Sequence, residues 1–325
     1  MSKVGAAAKL KNITSVSLIT LGTIVTGATL AGFVPNQQLC DIASQFRLVY
    51  VVVLGLILVP LLAVRSVVGT AIVAIGFVIN SVPIILLSIK PSCEHPNKMQ
   101  TVTLLNYNSE FQANNRVDLL RQEIDKRHPD VIALVEINQD WLDKLQPSLK
   151  KYPHQTIALD GPGLALFSKF PIKTAEIKHF GKTHHPRILA TLAVGSKQLN
   201  LIVAHPTTPK VSGFAERNQE LKLISDEAKA LPSPKIVVGD FNCTQFSPAF
   251  KQFATAGLHD SSQGFGPQPT WPARAGRVIP YTSIPPVVPI DHVLVSGDVC
   301  VQKREVGPPL QSDHLPVFVA ASLPQ

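Results

Sequence analysis

The chain has 325 residues, 45% of them hydrophobic, a formal charge of +8 and a mean hydropathy of +0.20. Those averages hide two unlike parts: roughly ninety almost uncharged residues rich in Val, Ile, Leu, Gly and Thr, then a remainder long enough to bury a substantial core. Lys3, Lys9, Lys11, Arg47, Arg65, Lys90 and Lys98 against Asp41 and Glu94 put +5 before residue 100 and leave +3 beyond it, too little for charge alone to argue a nucleic-acid binder.

The first part predicts an all-α membrane segment of three helices, at about 13–34, 48–64 and 66–89. Each stretch lacks a charge and reaches or approaches bilayer length, the middle one being marginal with Pro60 inside it. A signal peptide competes for the first stretch, but two further apolar stretches behind it favour an anchor. No ionisable side chain falls inside a span, so nothing suggests a transport path, a channel or a sensor. The Lys and Arg bias slightly favours a cytoplasmic N-terminus, and three crossings then place the remainder on the extracytoplasmic face of a cell membrane. Cys40 and Cys93 would share that face, which makes a Cys40–Cys93 disulfide an expectation to test; Cys243 and Cys300 read as small core residues.

Residues 91–99 read as a linker. Beyond it the pattern predicts a strand over 100–106, a helix over 115–127, a strand over 131–135, a helix over 141–149, and strands over 164–167, 188–194 and 199–204. A helix over 214–230 follows, with Arg and Lys assigned to its outer face. Then comes Ile236-Val237-Val238-Gly239-Asp240-Phe241-Asn242, a β-branched run closed by Gly, where alternation puts Asp240 and Asn242 on one side and Phe241 in the core. Residues 264–289 are too rich in Pro and Gly for regular structure, with Trp271 placed to cap a cleft. Strands over 290–296 and 315–321 close the chain.

The polar residues sit at strand ends: Asn108, Glu136, His205, Asp240, Asn242, Asp291, Asp313 and His314. Each has an ordinary alternative, as a turn residue, an N-cap or a structural histidine. Their shared placement is what argues for one site, and two packed sheets with flanking helices would gather them.

From about residue 100 onward the chain resembles the endonuclease/exonuclease/phosphatase superfamily. The motifs carrying the resemblance are Leu105-Asn106-Tyr107-Asn108, Leu134-Val135-Glu136, Ala204-His205-Pro206, Gly239-Asp240-Phe241-Asn242, Ile290-Asp291-His292-Val293 and Ser312-Asp313-His314-Leu315-Pro316, in family order. The resemblance implies an α+β fold, a four-layer α/β/β/α sandwich of two sheets over 100–325. It implies Mg²⁺ (or Mn²⁺) held by Glu136, Asn108 and Asp313, and a catalytic His314 oriented by Asp291. Asp240 would act as acid or base, Asn242 would steady phosphate or water, and His205 matches the deoxyribonuclease and sphingomyelinase branches. The tyrosine of the apurinic-endonuclease branch has no counterpart before Leu164, which argues against abasic-site repair. Arg187 is a candidate phosphate contact, with an ordinary surface arginine as its alternative.

These residue types suit phosphoryl chemistry, in which a hard cation, a carboxylate-oriented histidine and a positioned water offset charge that builds on phosphorus. The expectation is a metal-dependent phosphodiesterase, nuclease-like, anchored in the lipid bilayer by its helices. A phospholipid- or sphingomyelin-type phosphodiesterase and an inositol-phosphate phosphatase are the alternatives, with a non-catalytic binding protein on the same fold behind them. No protein partner can be read from the sequence.

Overall fold

A computed structural model describes residues 3–93, 99–209, 213–274 and 282–324, with side chains from residue 14. Within 91–99, residues 94–98 of the expected linker lie outside the described residues. The packing divides the chain into two units, Met1–Leu86 with Phe246–Pro248, and Leu87–Gln245 with Ala249–Gln325.

The first unit contains α1 (Lys3–Ala31), α2 (Gln38–Gln45), α3 (Arg47–Ala63) and α4 (Val67–Leu86). Thr14–Ala31 and Val67–Leu86 are each long and apolar enough to cross a membrane. The expected middle helix differs: α3 has 17 residues, and it reaches a third span only together with α2, from which it is bent by 68°. Small residues line the contacts. The buried positions of α4 are Gly69, Val73, Gly76 and Asn80, one stripe at helical spacing. A Cβ on Gly76 would stand 2.3 Å from Thr26 Oγ1, so only glycine permits that approach. The Asn80 amide donates to Thr29 Oγ1 and to the Gly76 carbonyl, both at 2.8 Å.

Among the described residues of the second unit, twelve strands form two six-stranded sheets. One has the order β11-β12-β1-β2-β4-β3 and the other β5-β6-β7-β8-β10-β9. The first comprises β1 (Met99–Asn108), β2 (Val131–Val135), β3 (His154–Ala158), β4 (Leu164–Ser168), β11 (Cys300–Val306) and β12 (Val317–Pro324). The second comprises β5 (Ile172–His179), β6 (Pro186–Val194), β7 (Lys197–Ala204), β8 (Lys235–Asp240), β9 (Leu258–Asp260) and β10 (Asp291–Ser296). Helices α5 (Val117–Arg127) and α6 (Gln139–Leu149) cover the first sheet; α7 (Phe214–Ala230) and α8 (Gln252–Thr255) cover the second. The four-layer α/β/β/α order expected from the resemblance is the one observed.

Alternation explains the layers. In β1, Val102 and Leu104 enter the core between the sheets, while Leu105 and Tyr107 pack under α5 and α6. In β8, Ile236 and Val238 face the inter-sheet core, and Val237, with Phe241 just past the strand, faces α7 and α8. Burying both faces removes the polar stripe that a half-solvated strand would show. Gly239 fits the close approach of β7: its φ is +150° and a Cβ there would stand 1.8 Å from the Ala204 carbonyl oxygen.

Two expectations need correcting here. Cys93 is bonded to Cys300, not to Cys40, with a Cα–Cα distance of 5.7 Å. Cys40 is a free thiol on α2, and Cys300, at the start of an edge strand, is where the segment before β1 can reach. Arg217 on α7 is fully buried rather than on the outer face, because its Nη1 donates to the Asn242 carbonyl at 2.8 Å.

Candidate active site

The inter-sheet stripe of apolar residues runs out into polar ones at a single end of the sandwich. Asn108 continues the stripe Val102-Leu104 of β1, and His205 continues Leu199-Leu201-Val203 of β7. Asp240 continues Ile236-Val238, and Asp291 precedes Val293-Val295 on β10. Parallel and antiparallel pairing brings these ends level: Asp291 lies opposite Asp240, and Asn108 opposite Val135.

Glu136 breaks the rule informatively. Val131, Ala133 and Val135 face the inter-sheet core, so an unbroken strand would turn residue 136 toward α5 and α6. Its φ of +52° turns the chain instead. Glu136 Oε1 then receives hydrogen bonds from Asn108 Nδ2 and from the ring of His205, both at 3.1 Å. A left-handed glutamate is uncommon and disfavoured, and such backbone concentrates where a side chain must be aimed.

The remaining contacts close a continuous network. Asn108 Nδ2 also donates to Asp240 Oδ2 at 3.0 Å. His205 Nδ1 and His314 Nε2 each lie 3.6 Å from Asp240 Oδ2. His314 Nδ1 donates to Asp291 Oδ2 at 2.8 Å, which leaves its Nε2 facing Asp240 and, at 3.8 Å, Asp313. Ser312 Oγ links the two halves, donating to the Asn108 carbonyl at 2.9 Å and accepting from His314 N at 3.0 Å.

Burial opposes charge throughout, and the pairs overrule it at Glu136, His205 and His314 but not at Asp240. Burial would raise Glu136, but hydrogen bonds from His205 and Asn108 and the charges of His205 and His314 hold it down at about 2. His205, which burial would lower, is raised to about 9 by Glu136 and Asp240. Despite its own burial, His314 is raised well above the usual imidazole range by Asp291 and Asp240. Asp240 itself is raised by burial, against the pull of both histidines.

Two expected residues sit differently. Period-2 geometry would carry Asn242 beside Asp240, but the strand ends and Asn242 adopts a φ of +50°. Its backbone N–H donates to Asp240 Oδ1 at 2.9 Å and its amide to the Pro206 carbonyl at 3.0 Å. Asn242 therefore fastens Asp240 and the His205 loop. Arg187 is not offered to a phosphate: Nε and Nη2 form a bidentate pair with Glu227 at 2.7 Å, and its guanidinium lies over Phe180, 4.8 Å from the centroid. The neighbouring α7 carboxylate, invisible in the local sequence, claims it.

Other residues were missed or only half seen. Trp271 Nε1 donates to Asp313 Oδ2 at 2.9 Å, so the tryptophan flagged as a cleft cap holds a site carboxylate. Arg274 chelates Glu110 at 2.7 Å, and Glu110 Oε2 accepts from the Asp313 backbone N–H at 2.9 Å. Part of that loop, 275–281, lies outside the described residues. Glu110 lies two residues past Asn108, and no spacing rule marks it.

The donor set fits a hard divalent cation. Glu136, Asp240 and His205 present ligand atoms within 4.8 Å of one another, as do Asp240, Asp291 and His314. Glu136 and Asp313 are the open carboxylates, 30% and 29% exposed, where Asp240 and Asp291 are sealed. Carboxylate oxygens without thiolates are ligands such ions prefer; Asn108 turns its Nδ2 to the carboxylates while its Oδ1 accepts from Glu110 N at 3.0 Å, so its amide would have to flip to offer oxygen to an ion.

Comparison with known proteins agrees with this geometry. The sequence profile of the Endonuclease/Exonuclease/phosphatase family matches residues 105–314. No individual curated protein matches the sequence. Among solved structures, D. rerio TDP2 complexed with single strand DNA product superposes with a TM-score of 0.57 at 18% identity, over 68% of this chain and 99% of that one. An endonuclease/exonuclease/phosphatase from Bacteroides vulgatus gives 0.57 at 18% identity, over 69% and 100%. Truncated Caenorhabditis elegans TDP2 gives 0.54 at 15% identity, over 69% and 98%. With its fold, its strand-end cluster and more than half its length matched, the chain belongs to the endonuclease/exonuclease/phosphatase family.

Proposed function

We propose that this chain is a membrane-anchored, divalent-metal-dependent phosphodiesterase whose catalytic unit lies outside the cytoplasm. The observation that carries the reading is the meeting of Asn108, Glu136, His205, Asp240, Asp291 and His314, from six separate segments, in one hydrogen-bonded cluster.

In this reading Glu136, Asn108 and Asp313 hold the ion, Mg²⁺ or Mn²⁺, which when bound neutralises charge on the phosphoryl oxygens. Asp291 fixes the His314 ring by accepting from Nδ1, so Nε2 carries the proton toward the substrate. A raised imidazole is better suited to donate to a phosphoryl oxygen than to abstract a proton. Asp240 is then the group that orients and deprotonates water, held in place by Asn108 and by the Asn242 backbone. His205, sealed between Glu136 and Asp240, is a positioning residue.

The location rests on separate observations. Two helices of spanning length, packed through Gly69 and Gly76, suit a bilayer, where close backbone approach supports association. A Cys93–Cys300 disulfide suits an oxidising compartment. Nucleic acid is the substrate class we favour, in keeping with the neighbour solved with a single-strand DNA product. The membrane helices favour a phospholipid headgroup as the second reading.

The test is hydrolysis of plasmid DNA, single-stranded DNA, sphingomyelin and inositol phosphates by the full chain in detergent with Mg²⁺ or Mn²⁺. Metal-dependent DNA cleavage lost in Glu136→Gln and His314→Asn is expected. Cleavage that survives both substitutions defeats the mechanism, and hydrolysis of sphingomyelin alone selects the second reading.

A further inference from the structure

A cavity of about 300 Å³ lies in the second unit, away from the cluster above, where β9 and the turn between β10 and β11 meet residues 90–93. We propose that it binds the phosphate-bearing headgroup of an anionic phospholipid; this rests on the reading of α4 as a membrane span.

Chain connectivity sets its depth. Lys90 follows the end of α4 at Leu86 by four residues, and four extended residues reach no more than about 14 Å. The polar headgroup zone is about 5–8 Å deep on each face, so this reach keeps Lys90 within that zone or just beyond it. The segment is fastened at both ends. The Leu87 carbonyl accepts from Gly264 N at 2.7 Å and Gly266 N at 3.1 Å, and Cys93 is bonded to Cys300.

The lining has the chemistry of an anion site. Lys90 Nζ meets the Phe265 ring, 5.7 Å from its centroid, and pairs with no carboxylate among the described residues. The His259 and Gln263 side chains line the cavity and, among the described residues, hydrogen-bond to nothing. Burial lowers His259, leaving a neutral ring with one N–H to donate. The neighbouring acid, Asp260, points to the other side of β9, where the His292 ring holds it. No carboxylate lines the cavity among the described residues, and buried Val299 and Val301 supply an apolar wall. A cation, two uncharged hydrogen-bonding side chains and an apolar wall beside a membrane exit match a headgroup with its glycerol.

The test uses the full chain in phosphatidylcholine nanodiscs with and without phosphatidylglycerol, with native mass spectrometry reading retained lipid. Lys90→Gln and His259→Gln should each lower phosphatidylglycerol retention, Lys90→Gln by about fivefold, while DNA hydrolysis is unchanged. Equal retention by wild type and both variants overturns the proposal. So does thermal stabilisation by inorganic phosphate equal to that by the lipid, which would mark a free-phosphate site. Release by alkaline carbonate would defeat the span and this site together. Loss of hydrolysis in the wild type would leave the retention result standing.

Discussion

The two units obey opposite rules of burial. Among the described residues, all the large apolar side chains left exposed except Ile177 belong to the first 89 residues, including Val52, Leu56, Val59, Leu62, Val67, Val68 and Ile85. The same helices bury Asn80 at 0%, Thr29 at 2% and glycines. Among the described residues of the second unit, the large apolar side chains are inside except Ile177 and, at its very start, Ile89. A unit that hides polar groups and displays Leu, Val and Ile is built for an apolar solvent. The exposed apolar patches of α3 and α4 are what the proposed membrane anchor requires of a lipid-facing surface.

The largest expected effect lies in the second unit and leaves its fold intact. Glu136→Gln or His314→Asn should lower kcat by about three orders of magnitude, or about 4 kcal/mol of transition-state stabilisation. Unchanged thermal melting is expected alongside. A melt that collapses instead would mean that the cluster is structural.

Next comes Asp260→Asn, which should destabilise the second unit by about 3 kcal/mol, because it leaves His292 and Arg304 buried without their carboxylate. Burial alone would raise Asp260, but the charge and hydrogen bond of His292, with Arg304, hold it below the carboxylate range. A depressed folded pKa stabilises in full above the unfolded value near 3.8 and loses that contribution as pH falls through the folded value. Urea melts below about pH 4 should therefore weaken faster for wild type than for Asp260→Asn.

A similar cost separates the two surfaces directly. Leu56→Lys, in the middle of α3, should cost about 3 kcal/mol of membrane insertion, read as loss of glycosylation-reporter insertion, whereas Ile177→Lys on an exposed strand should stay within about 0.5 kcal/mol. Equal tolerance at both positions would break the comparison. Smaller again, Cys93→Ser should lower stability by about 2 kcal/mol in non-reducing urea melts, while Cys40→Ser should change nothing measurable.

The sequence was legible wherever both faces of a strand were buried. The interior strands β1, β2, β4, β6, β7, β8, β10 and β12 all announce themselves as apolar runs. The strands that escaped notice, β3, β5, β9 and β11, are the four edges. Lys173, Glu176 and Lys178 in β5, and Lys303, Arg304 and Glu305 in β11, interrupt any apolar run. Such charges protect an unpaired edge and also disguise it. At the site, His205, Asp240 and Asp291 were legible because they extend the core stripe by one period, and Asn108 because it extends it by two. Glu136 was legible as a polar strand end, but its orientation was not, since alternation alone points it the wrong way. Glu110, Arg274 and Arg217 were hidden because their partners lie in distant segments.

The pairing of β1 with β12 on one side and β2 on the other has a consequence for biogenesis. During synthesis the strand carrying Asn108 is made more than two hundred residues before its antiparallel neighbour. Until then Val102 and Leu104 stand at an open flank that invites mispairing with other nascent chains. Holding that flank close to the bilayer while translation continues would limit such encounters, so a version lacking its helices should aggregate during expression more readily than its folded stability would suggest.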